Sequence, residues 1–428
     1  MQIKMRPAMR FPRILPALLL CLLAATPLFA QNASDEGGGI LPLNRPSPFR
    51  RAPEMNTPED VLRFLVQHRR DAALASVSLL PDGRIDFRDP VLAMNAETPF
   101  PLASTRKILH LAAFASAVAE GRLNPNEKIT VAEWERFYLP GSDGGAHGAA
   151  LAYLEIPADE YGFAVAPQTQ VTLGQLADVM IRFSDNAAPD WFLERLGPAV
   201  NAVIERARLR GQERLYFGLG EFLLIENHEA GLLTPARASL LAVKSRADII
   251  AEANRLAEAY QSPAWREAEL LWRLANQNEL GNYAGYALMA NTISPKGTAA
   301  DFAQIMAEVL TGRFLSPQTS ALMRTILEWP MDFADQIPFF AVRDRLATWG
   351  EKGGTLNGLQ TQANYFIPKT GPFAGKGRVV VLFLRNLPEA SFNQLSITGA
   401  DIHFALRLGV ERDFAQRVAR ALPRGIIF

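Results

Sequence analysis

Cysteine is almost missing from this sequence, because the single one, Cys21, stands among the first thirty residues. If that segment is removed, the mature chain has neither a disulfide nor a thiol nucleophile, so thiol chemistry is excluded. Histidine is also scarce: its five copies are scattered, and none forms a His-Glu-x-x-His or similar ligand spacing. No glycine-rich phosphate loop follows a predicted strand. We therefore expect no metal and no cofactor.

An excess of charge of one sign is missing as well, since 44 basic residues balance 44 acidic ones. Without long runs of like charge, nucleic acid and an acidic membrane face are poor candidates for the main partner. The hydrophobic fraction of 49% is enough to bury one large core or two modest ones. A globular protein acting on a small or peptidic substrate fits these features.

The N-terminus also lacks an apolar run long enough to cross a bilayer, which needs roughly 20 residues. Its apolar stretch, 14–23, contains Pro16, follows a basic start and precedes Ala30, a small residue suited to cleavage. We predict a signal peptide over residues 1–30, cleavage near Gln31 and a periplasmic or secreted protein with no transmembrane domain after cleavage.

The remaining chain divides into a leader and one domain. Residues 31–56 are rich in Gly, Pro, Asn and Ser and are expected to form a flexible leader. A single folded domain over 57–428 is predicted to begin with a helix capped at Thr57. A hairpin then pairs 74–79 with 85–87.

The central part of the domain has helical periodicity, and strand patterns lie on both sides of it. A helical lobe is predicted over about 104–327, and sheet strands within 74–95 and 346–385. A last amphipathic helix covers about 410–422. Strands at both ends of the chain imply a sheet assembled from both termini, with the helical lobe inserted into it.

A candidate nucleophile lies at the start of an apolar helix, in Pro101-Leu102-Ala103-Ser104-Thr105-Arg106-Lys107. Ser104 and Lys107 are one turn apart and share a face. A serine hydroxyl needs an adjacent base, and a desolvated lysine can lose its proton and act as one. We predict that Ser104 is the nucleophile and Lys107 its base. A Ser-x-x-Lys alone also arises by chance, as a serine cap followed by an ordinary lysine.

A Ser-Asp-Asn triplet follows where one helix ends and another begins, at 184–186. Ser184 can pass a proton between the nucleophile and the leaving group, and Asn186 can both donate to and accept from a substrate amide. Asp185 is expected to bind local backbone instead. In isolation, the triplet would equally suit a helix-capping turn.

The third motif is Lys352-Gly353-Gly354-Thr355, near the C-terminal strands. With it, the chain resembles the penicillin-recognising serine hydrolases, in which Ser-x-x-Lys, Ser-Asp-Asn and Lys-Thr-Gly follow in this order in class A β-lactamases and penicillin-binding proteins. The resemblance covers roughly residues 57–428. It implies an α/β (α+β) fold of the β-lactamase/transpeptidase type, with an antiparallel sheet flanked by helices and an inserted all-helical lobe.

The same resemblance implies that Lys352, Gly354 and Thr355 bind substrate. The backbone N–H groups of Ser104 and Thr355 would form the oxyanion hole. Gly353 departs from the family pattern, because it lacks the hydroxyl that holds a substrate carboxylate, and Thr355 could supply one instead. A literal Lys-Thr-Gly at 369–371 lies between two prolines, so we interpret it as a hairpin turn.

A glutamate that activates water against the acyl-enzyme is also implied by the resemblance, on a loop after the second motif. The stretch from about 211 to 291 is longer than that loop and has extra helical pattern. Its candidates are Glu221, Glu226, Glu229 and Glu279. Glu226 and Glu229 are favoured as the possible deacylation base because they lie in a polar break, although each could equally be a solvated surface carboxylate. A Gly- and Ala-rich insertion over 141–168 would lie near the mouth of the site.

The predicted function is that of an exported serine acyl hydrolase, with β-lactamase-type amide hydrolysis through a Ser104 acyl-enzyme favoured. An esterase or a D-alanyl-D-alanine peptidase of the same fold stays open. So does a penicillin-binding sensor or scaffold that is acylated without turnover. The cation Lys352 favours an anionic substrate such as a β-lactam or a peptidoglycan stem.

Overall fold

The computed structural model describes residues 52–337 and 340–422. The predicted signal peptide and most of the predicted leader therefore lie outside the described residues. The end of that leader is packed: Met55 is buried, and its backbone N–H donates to the side chain of Gln394 at 3.0 Å. Packing thus extends at least to Met55, before the predicted start of the domain at residue 57.

One antiparallel sheet of five strands organises the described part of the chain. In chain order the strands are β1 (Ala72–Leu79), β2 (Leu92–Met94), β3 (Phe100–Pro101), β4 (Lys128–Thr130), β5 (Gln170–Thr172), β6 (Lys296–Gly297), β7 (Leu346–Leu356), β8 (Leu359–Pro368) and β9 (Gly377–Leu384). The sheet has the order β2-β1-β9-β8-β7, so strands from both termini lie at its centre. β3 pairs with β6, and β4 with β5, in two small ribbons.

The burial of each strand agrees with its position in the sheet. From Arg378 to Leu384, β9 is buried throughout, as a central strand covered on both faces requires. Alternate residues of β1 face two different cores: Ala73 and Ala75 belong to the larger one and Leu74 to the smaller. β7 lies at an edge of the sheet and carries Lys352.

One group of helices lies before the helical lobe or within it. They are α1 (Pro58–Gln67), α2 (Lys107–Ala119), α3 (Val131–Glu135), α4 (Ala146–Tyr153), α5 (Leu173–Arg182), α6 (Ala187–Leu196), α7 (Pro198–Arg206), α8 (Gly218–Ile225), α9 (Pro235–Ala242), α10 (Arg246–Ala259), α11 (Pro263–Ala275), α12 (Tyr283–Leu288), α13 (Ala299–Leu310) and α14 (Pro317–Leu327). α15 (Val342–Arg345) directly precedes β7, and the C-terminal helices that follow β9 are α16 (Glu389–Thr398), α17 (Ala400–Val410) and α18 (Arg412–Ala421). None of the helices in residues 52–337 and 340–422 is both long and apolar enough for a bilayer.

Local sequence accounts for the helices that matter most here. α1 begins with a capping box, in which the hydroxyl of Thr57 accepts from the backbone N–H of Asp60 and the carboxylate of Asp60 accepts from that of Thr57. α2 is apolar on nearly every side and is buried from Lys107 to Ala117, as expected of a helix at the centre of a lobe.

The predicted fold class is confirmed: an antiparallel sheet built from both termini carries helices on its faces and a helical lobe inserted between β2 and β7. Two predicted elements differ. The second hairpin strand is reduced to one bridge between Leu79 and Ile85, since Phe87 is exposed, and β1 pairs with β2 instead. The single predicted C-terminal helix is the last of three. α17 was missed because it is buried on most sides and so has little polar periodicity.

Candidate active site

Three stretches that are far apart in sequence meet where α2 begins. Ser104 lies in a 3₁₀ turn that leads directly into this helix. Nζ of Lys107 lies 2.9 Å from Oγ of Ser104 and 3.2 Å from Oγ of Ser184. Nζ of Lys352 lies 3.1 Å from that same Ser184 oxygen. The structure thus brings together the four residues that the sequence selected for chemistry.

The oxygens around Lys107 fit a neutral amine. Two of them, the backbone carbonyl of Ser184 and Oδ1 of Asn186, can only accept hydrogen bonds, and Asn186 Oδ1 lies 2.7 Å from Nζ. A neutral amine has two N–H groups for these two acceptors. Its lone pair is then available for the hydroxyl proton of Ser104.

Burial favours this uncharged form. Lys107 and Lys352 are buried, whereas Ser104 and Ser184 keep partial exposure. Loss of hydration lowers the pKa of Lys107 well below its usual range, and the positive charge of Lys352 lowers that pKa further. Burial also lowers the pKa of Lys352, against the attraction of Glu351. A base and a cation are therefore both present beside a serine that substrate can reach.

Backbone strain marks both sides of the cluster. Ala103, directly before the nucleophile, has φ +45°, and Ser184 has φ +64°. A left-handed conformation at a residue with a side chain costs about 1–3 kcal/mol and persists only where surrounding contacts impose it. Nothing in the sequence around these two residues indicated this conformation.

The turn that carries Ser104 is tied to the edge of the sheet. Thr361 on β8 donates to the carbonyl of Leu102 at 2.9 Å, and its hydroxyl lies 2.7 Å from that of Thr105. A Cβ placed on Gly354 would lie 2.7 Å from both the backbone nitrogen of Ser104 and the carbonyl oxygen of Leu102. Only glycine allows β7 to approach the nucleophile this closely.

Thr355 fulfils one of its two predicted roles more readily than the other. The carbonyl of Gly353 accepts from Nζ of Lys352 at 2.7 Å and so points off the sheet edge. Because backbone groups two residues apart in a strand point the same way, the N–H of Thr355 faces the nucleophile side as the oxyanion hole requires. The Thr355 hydroxyl, however, donates to Oε1 of Gln360 at 2.8 Å.

The missing hydroxyl at Gly353 has a structural explanation. A Cβ there would lie 3.0 Å from Oε1 of Glu351 and 3.3 Å from the amide of Gln362. Gln362 donates to Asp401 at 2.9 Å, and burial raises the pKa of Glu351, with the charge of Asp401 adding to this increase. Buried acidic and amide groups thus fill the space where the family pattern has threonine.

In the Ser-Asp-Asn turn, Ser184 and Asn186 contact Lys107, whereas Asp185 faces the protein interior. Asn186 turns Oδ1 to Lys107, while its Nδ2 lies 3.4 Å from the carbonyl of Ser142 in the first insertion. Asp185 accepts from the backbone N–H of Ala188 at 2.6 Å, in keeping with the local role predicted for it. It also binds two side chains that the sequence did not connect with it, Trp134 and His147.

The two glutamates favoured as deacylation bases form their hydrogen bonds outside the Ser104 cluster. Glu226 is buried at the end of α8 and accepts from the backbone N–H of Gly281 at 2.8 Å. Glu229 is exposed and accepts from the indole of Trp265 at 2.9 Å. Within the part of the chain that the structure describes, neither forms a hydrogen bond to the Ser104 cluster. Their role as the deacylation base therefore stays a prediction.

Glu221 was a less favoured candidate for the deacylation base than Glu226 and Glu229. It contacts the turn that leads into the nucleophile's helix. It forms a buried ion pair with Arg106, the residue before Lys107, and accepts from Ser294 at 3.0 Å. A signal existed: Glu221 is the only charged residue in the apolar helix α8, and a buried carboxylate needs a partner. Its ion pair with Arg106 competes with any role as a base. Glu279 is exposed.

A known protein family and several solved structures are similar to this chain. The Beta-lactamase enzyme family matches residues 86–375. No curated protein matches the chain. Similar solved structures include a β-lactamase from Sphaerobacter thermophilus (17% identity, covering 85% of this chain and 97% of that one, TM-score 0.47). They also include a mutant of PBP-A in an acyl-enzyme complex with penicillin G (17%, 81% and 96%, TM-score 0.45), and a β-lactamase from Chitinophaga pinensis (14%, 85% and 97%, TM-score 0.46).

Proposed function

This chain belongs to the beta-lactamase enzyme family, and on that premise we propose that it is a serine acyl hydrolase acting on β-lactam amides through an acyl-enzyme at Ser104. The observation that carries the proposal is the position of Lys107. Its Nζ lies 2.9 Å from Oγ of Ser104, while two acceptor-only oxygens take its N–H groups. This geometry places the lysine nitrogen within reach of the serine proton, and the burial that lowers the pKa of Lys107 supports the neutral form that can receive it.

The proposed catalytic cycle starts and ends with the free hydroxyl of Ser104. Lys107 takes the hydroxyl proton as Oγ of Ser104 attacks the carbonyl carbon, and N–H groups of Ser104 and Thr355 stabilise the oxyanion. The C–N bond then breaks as Lys107 returns the proton to Ser184, whose own hydroxyl proton goes to the leaving nitrogen, so that Lys107 is neutral again. Water hydrolyses the resulting ester and restores the Ser104 hydroxyl.

The charge of the site supports an anionic substrate. Nζ of Lys352 lies beside Ser184, close to where the leaving group would be protonated. A carboxylate such as that of a β-lactam or a peptidoglycan stem would be attracted to this cation. We further propose that the protein acts in the periplasm or outside the cell, on the basis of its N-terminal sequence.

A second candidate, a penicillin-binding protein that is acylated and turns over slowly, is favoured by one observation. Glu226 and Glu229 hydrogen-bond elsewhere, and Glu221 is held in an ion pair with Arg106. Acylation needs only Ser104, Lys107 and their neighbours, whereas fast deacylation needs a base for water. This arrangement supports rapid acylation more strongly than rapid release.

Mass spectrometry of the intact protein after incubation with penicillin tests the proposal. The wild type should gain the mass of one whole penicillin, because ring opening loses no atoms, and Ser104→Ala should gain nothing while staying folded. Ser239→Ala, a helix serine outside the cluster, is the matched control and should be labelled like the wild type. Undiminished labelling of Ser104→Ala would remove the mechanism.

The lifetime of the adduct separates the candidates. A short-lived adduct with repeated hydrolysis of a chromogenic cephalosporin supports the β-lactamase, and an adduct that persists without turnover supports the slow penicillin-binding protein. Hydrolysis of simple esters with no penicillin adduct would favour the esterase instead.

A further inference from the structure

A buried chain of ionisable side chains lies behind the Ser-Asp-Asn turn. Nδ1 of His147 on α4 lies 2.7 Å from Oδ2 of Asp185, and its Nε2 lies 3.4 Å from Oε1 of Glu135. The His147 and Asp185 side chains have no exposed surface, and that of Glu135 has 7%. His147 comes from the Gly- and Ala-rich insertion, so this insertion reaches directly beneath the catalytic turn.

Aromatic rings enclose this chain and limit its movement. The Tyr138 ring stacks on the imidazole with 4.1 Å between ring centroids, and Trp134 meets it edge-on at 4.5 Å. The Trp134 indole also donates to Oδ1 of Asp185 at 3.0 Å. With the backbone N–H of Ala188, three donors hold the two oxygens of one carboxylate. Asp185 is therefore fixed as tightly as a buried side chain can be.

His147 supplies the charge that a buried carboxylate requires. Glu135, Tyr138, Asp143 and Asp185 are the ionisable groups that face the ring. Burial alone would lower the pKa of His147, but the charge of Asp185 and the hydrogen bonds to Asp185 and Glu135 raise it to about 9. At neutral pH the imidazole is then a cation, and Asp185 stays ionised beside it.

The turn above Asp185 needs this support because Ser184 is strained. Its φ of +64° is held from one side by Lys107, which binds both its hydroxyl and its carbonyl. The adjacent Asp185 holds it from the other side. Ser184 and Asn186 therefore keep their positions relative to Lys107 only while Asp185 stays in place.

We propose that His147 is a positioning residue for acylation, which by pairing with Asp185 holds the turn that presents Ser184 and Asn186 to Lys107. This role rests on the proposed acyl transfer at Ser104. His147 touches neither the nucleophile nor the space in front of it, so its effect passes through Asp185.

Two substitutions separate positioning from general stability. In His147→Asn an amide nitrogen stands at the same δ position as Nδ1 and can still donate to Asp185. In His147→Gln the amide stands one bond further out, towards Glu135, while more of the imidazole volume is kept. Loss of volume predicts a lower melting temperature for Asn than for Gln, whereas positioning through Asp185 predicts faster acylation for Asn than for Gln.

The chain contains a matched control. His228 lies 2.9 Å from a carboxylate oxygen of Glu269 and meets the Trp265 ring edge-on at 4.5 Å, the same kind of arrangement away from the cluster. The measurement is the rate constant for acylation by a chromogenic cephalosporin, with melting temperature recorded for each variant. We expect His147→Gln to acylate roughly 10- to 100-fold more slowly, His147→Asn to lie between it and the wild type, and His228→Gln to match the wild type.

Acylation rates that follow melting temperature, or a His147→Gln variant as fast as the wild type, would overturn the inference. If neither His147 variant folds, the isosteric Asp185→Asn replaces them, and a wild-type rate in that variant would also overturn it. Absence of acylation in the wild type itself would instead remove the proposed function, and this inference with it.

Discussion

Gly353 and Gly354 are adjacent in β7 but differ in what surrounds them. Gly354 faces the nucleophile, where a side chain would meet the backbone of Ser104 and Leu102. Gly353 faces buried side chains behind the strand, whose nearest atoms would lie 3.0–3.3 Å from an added Cβ, a distance that small shifts could relieve. The first glycine is thus required by the short distance between strand and nucleophile, whereas the second is only favoured by the packing of Glu351 and Gln362.

Gly354→Ala should disable the site without unfolding the protein. Its methyl group would push β7 away from Ser104, and a displacement of about 1 Å can reduce catalysis about 100-fold. We expect acylation by penicillin to fall by at least that factor, measured by stopped-flow or quenched labelling. Gly148→Ala, where a Cβ meets nothing within 4 Å, is the control and should acylate normally. Normal acylation of Gly354→Ala would contradict the close approach.

For single residues, the sequence identified those that belong to the three motifs but not those that hold the motifs in place. Ser104, Lys107, Ser184 and Lys352 were found because their types and order are informative. His147 could not be paired with Asp185, since 38 residues of chain separate them and no spacing rule connects them. The available signal was the position of His147 in an otherwise apolar helix. Such a position indicates that the imidazole has a buried partner but does not identify that partner.

Helices α2 and α8 are linked by one buried ion pair across the lobe. Arg106, in the turn that begins α2, pairs with Glu221 of α8, and Ser294 donates to the same carboxylate. α8 in turn crosses α10 so closely at Gly220 that a Cβ would strike the backbone of Ala253. The long insertion is therefore anchored to the helix that bears Lys107.

Glu221→Gln should destabilise the protein strongly, because it removes the carboxylate that pairs directly with the buried Arg106 and leaves only Asp190 as an acidic neighbour. Breaking one partner of a buried pair typically costs about 3–5 kcal/mol, measured here as the loss in free energy of unfolding in urea. Glu229→Gln, which removes an exposed carboxylate 4.0 Å from Arg255, is the control and should cost no more than about 1 kcal/mol. Equal effects of the two substitutions would contradict the anchoring role of Glu221.

Element predictions succeeded where one face is polar and failed where burial is complete. α1 begins directly after the cap predicted at Thr57, and α18 lies within two residues of the predicted range 410–422, since apolar spacing on one face marks both helices. α17, buried on most sides, lacks the alternation that reveals a helix. The short strand β2 was placed too early, because three residues carry too little pattern to compete with an apparent hairpin turn.

The pH dependence of stability is a property of the whole molecule to which His147 contributes. Because its pKa is raised from 6.5 to about 9 in the folded state, its contribution is fully present below about pH 6.5 and is lost as pH rises through 9. We expect the wild type to lose on the order of 3 kcal/mol more than His147→Gln between pH 6 and pH 9.5. Urea unfolding of both proteins across this range measures the difference.

Subtracting the variant from the wild type removes the titrations of groups that His147 does not touch, such as Lys352, and leaves those of His147 and of Asp185, whose pKa His147 lowers. A constant difference in unfolding free energy across the range would show that His147 carries no charge in the folded state.

The central position of β1 and β9 determines when the site can exist. β1 pairs with β9 along its whole length, from Ala72 with Leu384 to Leu79 with Gly377, so the two strands are joined across about 300 intervening residues. Until the ribosome has synthesised β9, β1 has only the three-residue β2 as a neighbour, and the β7–β8 hairpin has no place in the sheet. Closing so long a loop is slow. A nascent chain therefore remains without its catalytic centre until β9 has been synthesised.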